Sequence, residues 1–300
     1  MKFKYIKTIL LSLITLSGFA QQGEPVVLSI TYDFKHVNDL NKPNVPYQEE
    51  MILRLGKTES RYNSWTDEIK SKAPSKIISS GNSSSPKSSG NFSFTPTVFV
   101  KGKGVQDFDL LQYHTKNKLV RITTLGSSNY IIETDIPSIA WKIEPEKKEI
   151  GGYICQKAVG SYGGRVYTAW FAQKLPFKSG PWKLSGLPGL ILEARDSTAE
   201  VSFLFKEINK GAENETTAPR KARVIKASES AFERAKNAFE KDPIAVYQSQ
   251  LPVGTTEKAQ IVFADDEGNF HYGEEGKKLY EANKKAAKQR KFNPIELKKS

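Results

Sequence analysis

The sequence predicts a mainly β (α+β) fold, a curved antiparallel sheet or partial barrel with two C-terminal helices. Between residues 27 and 208, short segments alternate apolar and polar side chains, which is the two-residue period of a strand with one buried face. Glycine, asparagine, aspartate or proline separates these segments at short intervals, as is typical of antiparallel strands. Helical periodicity follows only near the end of the chain, after residue 229.

The N-terminus has the pattern of an export signal. Three lysines come first, at Lys2, Lys4 and Lys7, and an apolar run over residues 8–19 follows them. Small residues end the run, which predicts cleavage after Ala20 and a periplasmic or secreted protein. The run is too short for a membrane anchor, and no later segment predicts a transmembrane span.

Residues 21–300 are predicted to form a single domain, because 280 residues are enough for one core and strand patterns recur on both sides of a serine-rich segment. That segment, residues 71–91, carries almost no large apolar side chains and predicts a flexible insertion. The predicted strands cover residues 27–34, 50–55, 57–64, 96–101, 108–114, 118–124, 130–134, 139–143, 148–158, 166–173, 190–195 and 201–208.

The two predicted helices lie near the C-terminus. Ser230 and Glu233 have the spacing of a capping box, which predicts a helix over residues 230–241 that ends at Asp242-Pro243. A hairpin with its turn at 265–269 comes next, and a strongly basic helix over about 274–291 follows it. Its lysines predict a solvated face, with contact to an anionic lipid or polymer as the alternative.

Residues 180–196 hold the densest group of turn-forming residues in the chain. Pro188 and Gly189 at two central positions predict a type II turn, in which Gly189 adopts a positive φ and a strand begins at Leu190. Gly186 and Gly189 are also suited to a close approach of another backbone or a ligand. Gly186, Pro188 and Gly189 are therefore predicted to be structural turn residues.

No motif in the sequence predicts catalysis, a metal site or a cofactor. The three histidines are far apart, and the single cysteine, Cys155, excludes an intramolecular disulfide and predicts a small buried side chain. Glu193 and Asp196 would need to meet Glu133 or Asp135 to form a glycosidase-like carboxylate pair, and no feature of the sequence brings them together.

Aromatic residues crowd the central region, and four of them are candidate ligand-binding residues: Trp141, Tyr167, Trp170 and Trp182. They predict the core of a twisted sheet, with an apolar cleft on one face of the sheet as the sharper hypothesis. The net charge of +12 favours an anionic partner, and export makes nucleic acid the least suitable one.

The stretch Gly186-Leu-Pro-Gly-Leu-Ile191 resembles the signature of the bacterial GLPGLI family. Further residues share the resemblance: Ile139-Ala-Trp141, residues 147–158, residues 164–171, Gly180-Pro181 and Asn293-Pro-Ile-Glu-Leu297. The resemblance implies an exported protein of a Gram-negative envelope and implies no catalytic residue. Together these observations predict a non-enzymatic binding or accessory module for an apolar ligand or an envelope partner protein. A hydrolase acting on envelope glycans or peptides is the alternative.

Overall fold

The computed structural model describes residues 23–66, 68, 97–101, 108–126, 128–220, 224–249, 260–265 and 269–297. The predicted export signal and the serine-rich segment at 71–91 lie outside these residues. The first strands are β1 (Leu28–His36), β2 (Tyr47–Leu55), β3 (Glu59–Ser64), β4 (Thr97–Lys101), β5 (Phe108–Tyr113), β6 (Lys118–Leu125), β7 (Ser128–Asp135) and β8 (Lys142–Ile150). Then come β9 (Tyr153–Tyr162), β10 (Arg165–Ala172), β11 (Leu190–Asp196), β12 (Val201–Lys210), β13 (Val224–Ala227), β14 (Gln260–Ala264) and β15 (Phe270–His271).

Twelve of these strands form one open, curved sheet in the order β13-β7-β6-β5-β3-β2-β1-β12-β11-β10-β9-β8. Every neighbouring pair is antiparallel except β13 and β7, which confirms the predicted mainly antiparallel architecture. The predicted strand at 96–101 also forms. It lies outside the large sheet, as β4 beside β14 and β15 in a separate three-stranded sheet.

The hairpin of β8 and β9 differs from the prediction of strands at 139–143 and 148–158. Gly151 and Gly152 have φ values of 56° and 82°, so they form a tight turn between two long strands. Two consecutive positive φ values suit a two-residue hairpin turn, and glycine adopts them without steric cost. The break therefore falls inside the segment that was predicted to be one strand.

The main core cluster lies on one face of the sheet because side chains alternate along each strand, and a smaller cluster of Leu111, Tyr113, Val120 and Ile122 is buried on the opposite face of β5 and β6. On β10, Tyr167 and Ala169 are buried, whereas Val166 is 43% exposed. Residues 173–189, which connect β10 to β11, add Leu184 and Leu187 to the same core. Burying a leucine side chain contributes roughly 1.5–3 kcal/mol, so this connection is part of what stabilises the sheet.

Three helices follow the large sheet: α1 (Glu229–Lys241), α2 (Pro243–Ser249) and α3 (Gly273–Lys288). The predicted capping box is wrong, because α1 begins earlier and Ser228 caps it by accepting a hydrogen bond from the Ala231 N–H at 3.2 Å. Asp242 ends α1 as predicted, and it also caps the unpredicted α2 through the Ala245 N–H at 2.9 Å. None of the described helices is long and apolar enough to cross a membrane.

Candidate functional site

The loop of residues 173–189 crosses the core and contacts the other half of the sheet. Its Trp182 carbonyl accepts a hydrogen bond from Gln112 Nε2 at 3.3 Å, and the Trp182 ring packs edge-on against Phe108, with centroids 5.2 Å apart. Gln112 and Phe108 belong to β5, which β3, β2, β1 and β12 separate from β11. The loop thus joins two distant parts of the sheet through its curved interior.

The backbone at Pro188 differs from the predicted type II turn. The Gly189 N–H donates to the Leu187 carbonyl at 2.8 Å, which closes a three-residue turn. Gly189 is not among the residues with positive φ, whereas Gly186 has a φ of 95°. A Cβ on Gly189 would lie 2.8 Å from the carbonyl carbon of Ala172. Gly189 is therefore required by the close approach of β10, and Gly186 by its backbone conformation.

The four candidate aromatic residues do not line one cleft. Tyr167 is 1% exposed in the core, and Trp141 and Trp182 pack on that side, where their Nε1 atoms donate to the Ser185 carbonyl at 2.8 Å and to Glu296 Oε1 at 3.2 Å. Trp170 lies on the opposite face of β10, because it is three residues after Tyr167 and strand side chains alternate. The hypothesis of one aromatic cleft is wrong for this reason, and the core interpretation fits the other three residues.

Trp170 lines a groove of about 340 Å³ on the outer face of the sheet, called the Trp170 groove below. The antiparallel register of β10 and β11 places Trp170 opposite Glu193 and Thr168 opposite Arg195. Lys148 of β8 and Leu204 of β12 complete its lining together with Ala194. The groove thus combines one indole ring, both signs of charge and a hydroxyl group, which come from β8, β10 and β11.

The two cationic side chains of the Trp170 groove, Lys148 and Arg195, differ in whether they have a partner. Lys148 forms an ion pair with the Glu193 carboxylate, and its Nζ lies 4.7 Å from the centroid of the Trp170 ring. Arg195 is exposed and forms no ion pair with any residue that the structure describes. A cation–π contact and an ion pair fix Lys148, whereas the Arg195 guanidinium is available to a ligand.

Cys155 lies on β9, where the antiparallel register places it opposite Lys148 of the groove lining. The side chain is fully buried, as predicted. Burial raises the pKa of the Cys155 thiol to about 11, and the nearby Glu193 carboxylate acts in the same direction. The thiol therefore stays protonated at neutral pH and is not a nucleophile.

A buried arginine, which the sequence patterns did not reveal, holds the C-terminal segment against the sheet. Arg165 is 2% exposed in its side chain, and all its bonds go to buried or half-buried acceptors. The acceptors are Asp196 Oδ2 at 2.6 Å, Glu200 Oε2 at 2.9 Å, Asn293 Oδ1 at 2.6 Å, the Pro294 carbonyl at 2.8 Å and the Ile295 carbonyl at 2.9 Å. We call this network the Arg165 clamp.

Two partners of Arg165 make further bonds that fix their positions. Asp196 accepts from the Thr198 hydroxyl at 2.8 Å and from the Val201 N–H at 2.9 Å. Asn293 donates to the Val37 carbonyl at 2.8 Å. The clamp therefore connects β10, β11 and the chain after β1 to the C-terminal segment. The Asp196 carboxylate has a structural role, because all its bonds are made within the protein.

The carboxylate pair considered for a hydrolase is not assembled. Glu133 and Asp135 belong to β7, and six strands of the sheet lie between β7 and β11. Glu193 faces the groove, whereas Asp196 is buried against Arg165. A glycosidase needs its two carboxyl groups within about 5–10 Å of each other across the substrate bond, so these four residues do not supply that geometry.

The histidines are also separate from one another. His114 Nε2 lies 2.8 Å from Ser179 Oγ, but Ser179 is only 2% exposed and is inaccessible to a substrate. Burial lowers the pKa of His36 to about 4, and a hydrogen bond to Asp265 raises the pKa of His271. Among the described residues, no group of three histidine, cysteine, aspartate or glutamate side chains is placed to hold a metal ion.

Comparisons with known proteins found one family model and several solved structures that are similar to part of this chain. A family model described as "N-glycanase peptide, N-terminal domain" matches residues 108–229, which is less than half of the chain. Two solved structures of PNGF-II, in space groups P21 and C2, are similar at TM-scores of 0.48 and 0.47, each with 13% sequence identity. They cover 70% and 69% of this chain and 32% of the PNGF-II chain, so this chain spans about a third of that length. No curated protein sequence matches.

Proposed function

We propose that this protein is a non-enzymatic binding module of the bacterial cell envelope and that the Trp170 groove binds an acidic glycan. The observation that carries the proposal is the lining of the groove, where Trp170 stands beside Glu193 and Arg195 on adjacent strands. An apolar ligand, the class considered from the sequence, suits this lining poorly, because burying its charged groups without hydrogen bonds would cost free energy.

The chemistry of a sugar ring matches such a lining. A sugar presents apolar C–H groups on the faces of its ring and hydroxyl groups around its edge. Lys148 contacts one face of the Trp170 indole, and the remaining aromatic surface is offered to a ring face, while Glu193 and the Thr168 hydroxyl supply acceptors and donors for the edge. Small-molecule sites generally combine an aromatic surface with a few polar groups in this way.

The acidic character of the proposed glycan follows from charge. Glu193 is neutralised by Lys148, so Arg195 leaves the groove with a net positive charge. A guanidinium binds a carboxylate through two parallel hydrogen bonds. After the predicted cleavage the chain lacks Lys2, Lys4 and Lys7, so its net charge is +9 (12 − 3), which attracts an anionic polymer over longer distances.

The family comparison supports a glycan as the ligand class. The matched model is described as the N-terminal domain of an N-glycanase, and the matched residues 108–229 include β8 to β12, which contain the whole groove lining. Membership of the GLPGLI family, which the sequence signature suggests, adds the envelope to this proposal. A hydrolase remains the second outcome that the experiment below distinguishes.

Binding is tested by titrating the protein with uronic-acid oligosaccharides and with neutral oligosaccharides of matched length in a calorimeter. We expect binding of the acidic series, a loss of about tenfold or more in Arg195→Gln, and a larger loss in Trp170→Ala. Val166→Ala and Lys210→Gln remove an exposed apolar and an exposed cationic side chain outside the groove, and both should bind as the parent does.

Two results would count against the groove. Equal binding of acidic and neutral oligosaccharides would show that Arg195 does not recognise a carboxylate of the ligand. Unchanged binding in both Trp170→Ala and Arg195→Gln would show that the ligand binds outside the groove. The same mixtures are assayed for new reducing ends after incubation. Their release by the parent protein would establish the hydrolase alternative in place of a binding module.

Export is proposed from the N-terminal pattern and has its own test. We expect protein recovered outside the cytoplasm to begin at Gln21 by mass spectrometry, because Gly18-Phe19-Ala20 offers small residues to a signal peptidase. Ala20→Leu should leave a longer, uncleaved product in the membrane fraction. Parent protein that stays in the cytoplasm and begins at Met1 would disprove the proposal.

A further inference from the structure

Two large apolar side chains are exposed at the junction of the loop after β1 and the segment after α3. Phe292 is 70% exposed and Val45 is 71% exposed, the largest exposed fractions of any large apolar side chain among the described residues. Contiguous exposed apolar patches with a rim of polar residues mark interaction sites, whereas single exposed apolar residues are common on any protein. We call this surface the Phe292 patch.

Hydrogen bonds hold the two halves of the Phe292 patch together. The Leu40 N–H donates to the Lys291 carbonyl at 2.9 Å, the Asn293 N–H donates to the Asn38 carbonyl at 3.1 Å, and Asn41 Nδ2 donates to the Gln289 carbonyl at 3.1 Å. A turn closed by the Val45 N–H and the Lys42 carbonyl at 3.0 Å presents Val45 from the same loop. Phe292 and Val45 are thus held on one ordered unit of the fold.

Cationic side chains belong to the same unit. They are Lys42 in the loop, Lys285 and Lys288 at the end of α3, and Arg290 and Lys291 just before Phe292. Within the part of the chain that the structure describes, none of these five forms an ion pair. The carboxylate of this unit, Asp39, is buried and accepts hydrogen bonds from the backbone N–H groups of Asn41 and Lys291. The positive charges of the patch therefore remain uncompensated.

We infer that the Phe292 patch docks the protein on a membrane surface that contains anionic lipid. Apolar side chains that project beyond a group of cations match the two layers of such a surface, since the cations meet the headgroups and the apolar groups enter the boundary beneath them. A soluble polyanion would engage the five cations but would give no favourable contact to Phe292 and Val45. The exposed apolar pair therefore favours a bilayer over a polyanion.

The test is co-sedimentation of the chain as predicted after export, residues 21–300, with vesicles of phosphatidylcholine alone or with one third phosphatidylglycerol. We expect binding only to the anionic vesicles, and a loss of affinity of about tenfold both in Phe292→Ser and in the double variant Lys288→Glu/Arg290→Glu. Ile154→Ser and the double variant Lys142→Glu/Lys210→Glu are matched controls, because Ile154 is 53% exposed on β9 and the two lysines are exposed outside the patch, so the double control changes the net charge by the same −4.

Three results would overturn the inference. The first is equal binding to neutral and anionic vesicles, and the second is an equal loss in the matched controls. The third is unchanged binding by Phe292→Ser together with loss in the charge variant, which would assign the cations to a soluble polyanion. Thermal unfolding of each variant separates loss of binding from loss of fold.

Discussion

Replacement of Arg165 by methionine is expected to lower the free energy of unfolding by about 3–5 kcal/mol. The substitution removes the partner of Asp196, whose side chain is 2% exposed, and leaves that carboxylate charged in a buried site. It also removes the hydrogen-bond donors of the Asn293 amide oxygen and of two backbone carbonyls. Urea unfolding followed by circular dichroism measures the change.

Arg195→Met is the control for this prediction, because Arg195 is an exposed arginine in the strand next to Arg165 and its loss should change stability by no more than about 0.5 kcal/mol. Arg165→Lys should also destabilise, since an ammonium group cannot reproduce the planar set of donors that Arg165 uses. A loss below about 1 kcal/mol in Arg165→Met would show that the clamp contributes little to stability, as is found where a buried ion pair is replaced without penalty.

A double variant distinguishes a buried charge from a loss of packing. If the uncompensated Asp196 carboxylate dominates, Arg165→Met/Asp196→Leu should be more stable than Arg165→Met alone, because no charge is left buried. If the packing of the C-terminal segment dominates, the second substitution should lower stability further. Release of that segment is also measurable, since trypsin would then cleave more rapidly after Arg290 or Lys291.

The parts of the fold that depend on local pattern could be predicted from the sequence. Residues 118–124 and 201–208 were predicted as strands and form within β6 and β12, because side-chain alternation is a property of a few consecutive residues. The order of the strands in the sheet could not be predicted in this way. Pairing of β1 with β12 joins residues more than 160 positions apart, and no local pattern carries that information.

The candidate site shows the same division between local and distant information. Trp170 and Tyr167 were predicted together as aromatic residues of one region, but their odd spacing of three residues along β10 places them on opposite faces of the sheet. The Trp170 groove needs the register of β8, β10, β11 and β12, and the Arg165 clamp joins residues 128 positions apart. Such a site is readable only after the strands have been paired.

Gly189→Val is expected to lower the free energy of unfolding by about 1–3 kcal/mol. The reason is overpacking, since a Cβ at this position would meet the carbonyl group of Ala172 and the Cα of Gln173, the latter at 3.0 Å. These are backbone atoms at the end of β10, and they cannot rotate away as the end of a flexible side chain can. Thermal and urea unfolding of the variant beside the parent protein measure the loss.

Asparagine separates this cause from the type II turn that the sequence predicted. Asparagine tolerates positive φ, so a positive φ at Gly189 would make Gly189→Asn nearly as stable as the parent. Overpacking makes Gly189→Asn as destabilising as Gly189→Val. Gly152→Asn is the matched control, because Gly152 has a φ of 82° and a Cβ there would meet no atom within 4 Å. Gly152→Asn should lower the free energy of unfolding by no more than about 1 kcal/mol. If Gly189→Asn and Gly152→Asn unfold at the same denaturant concentration, the close approach of Gly189 to β10 is not the reason that this position requires a glycine.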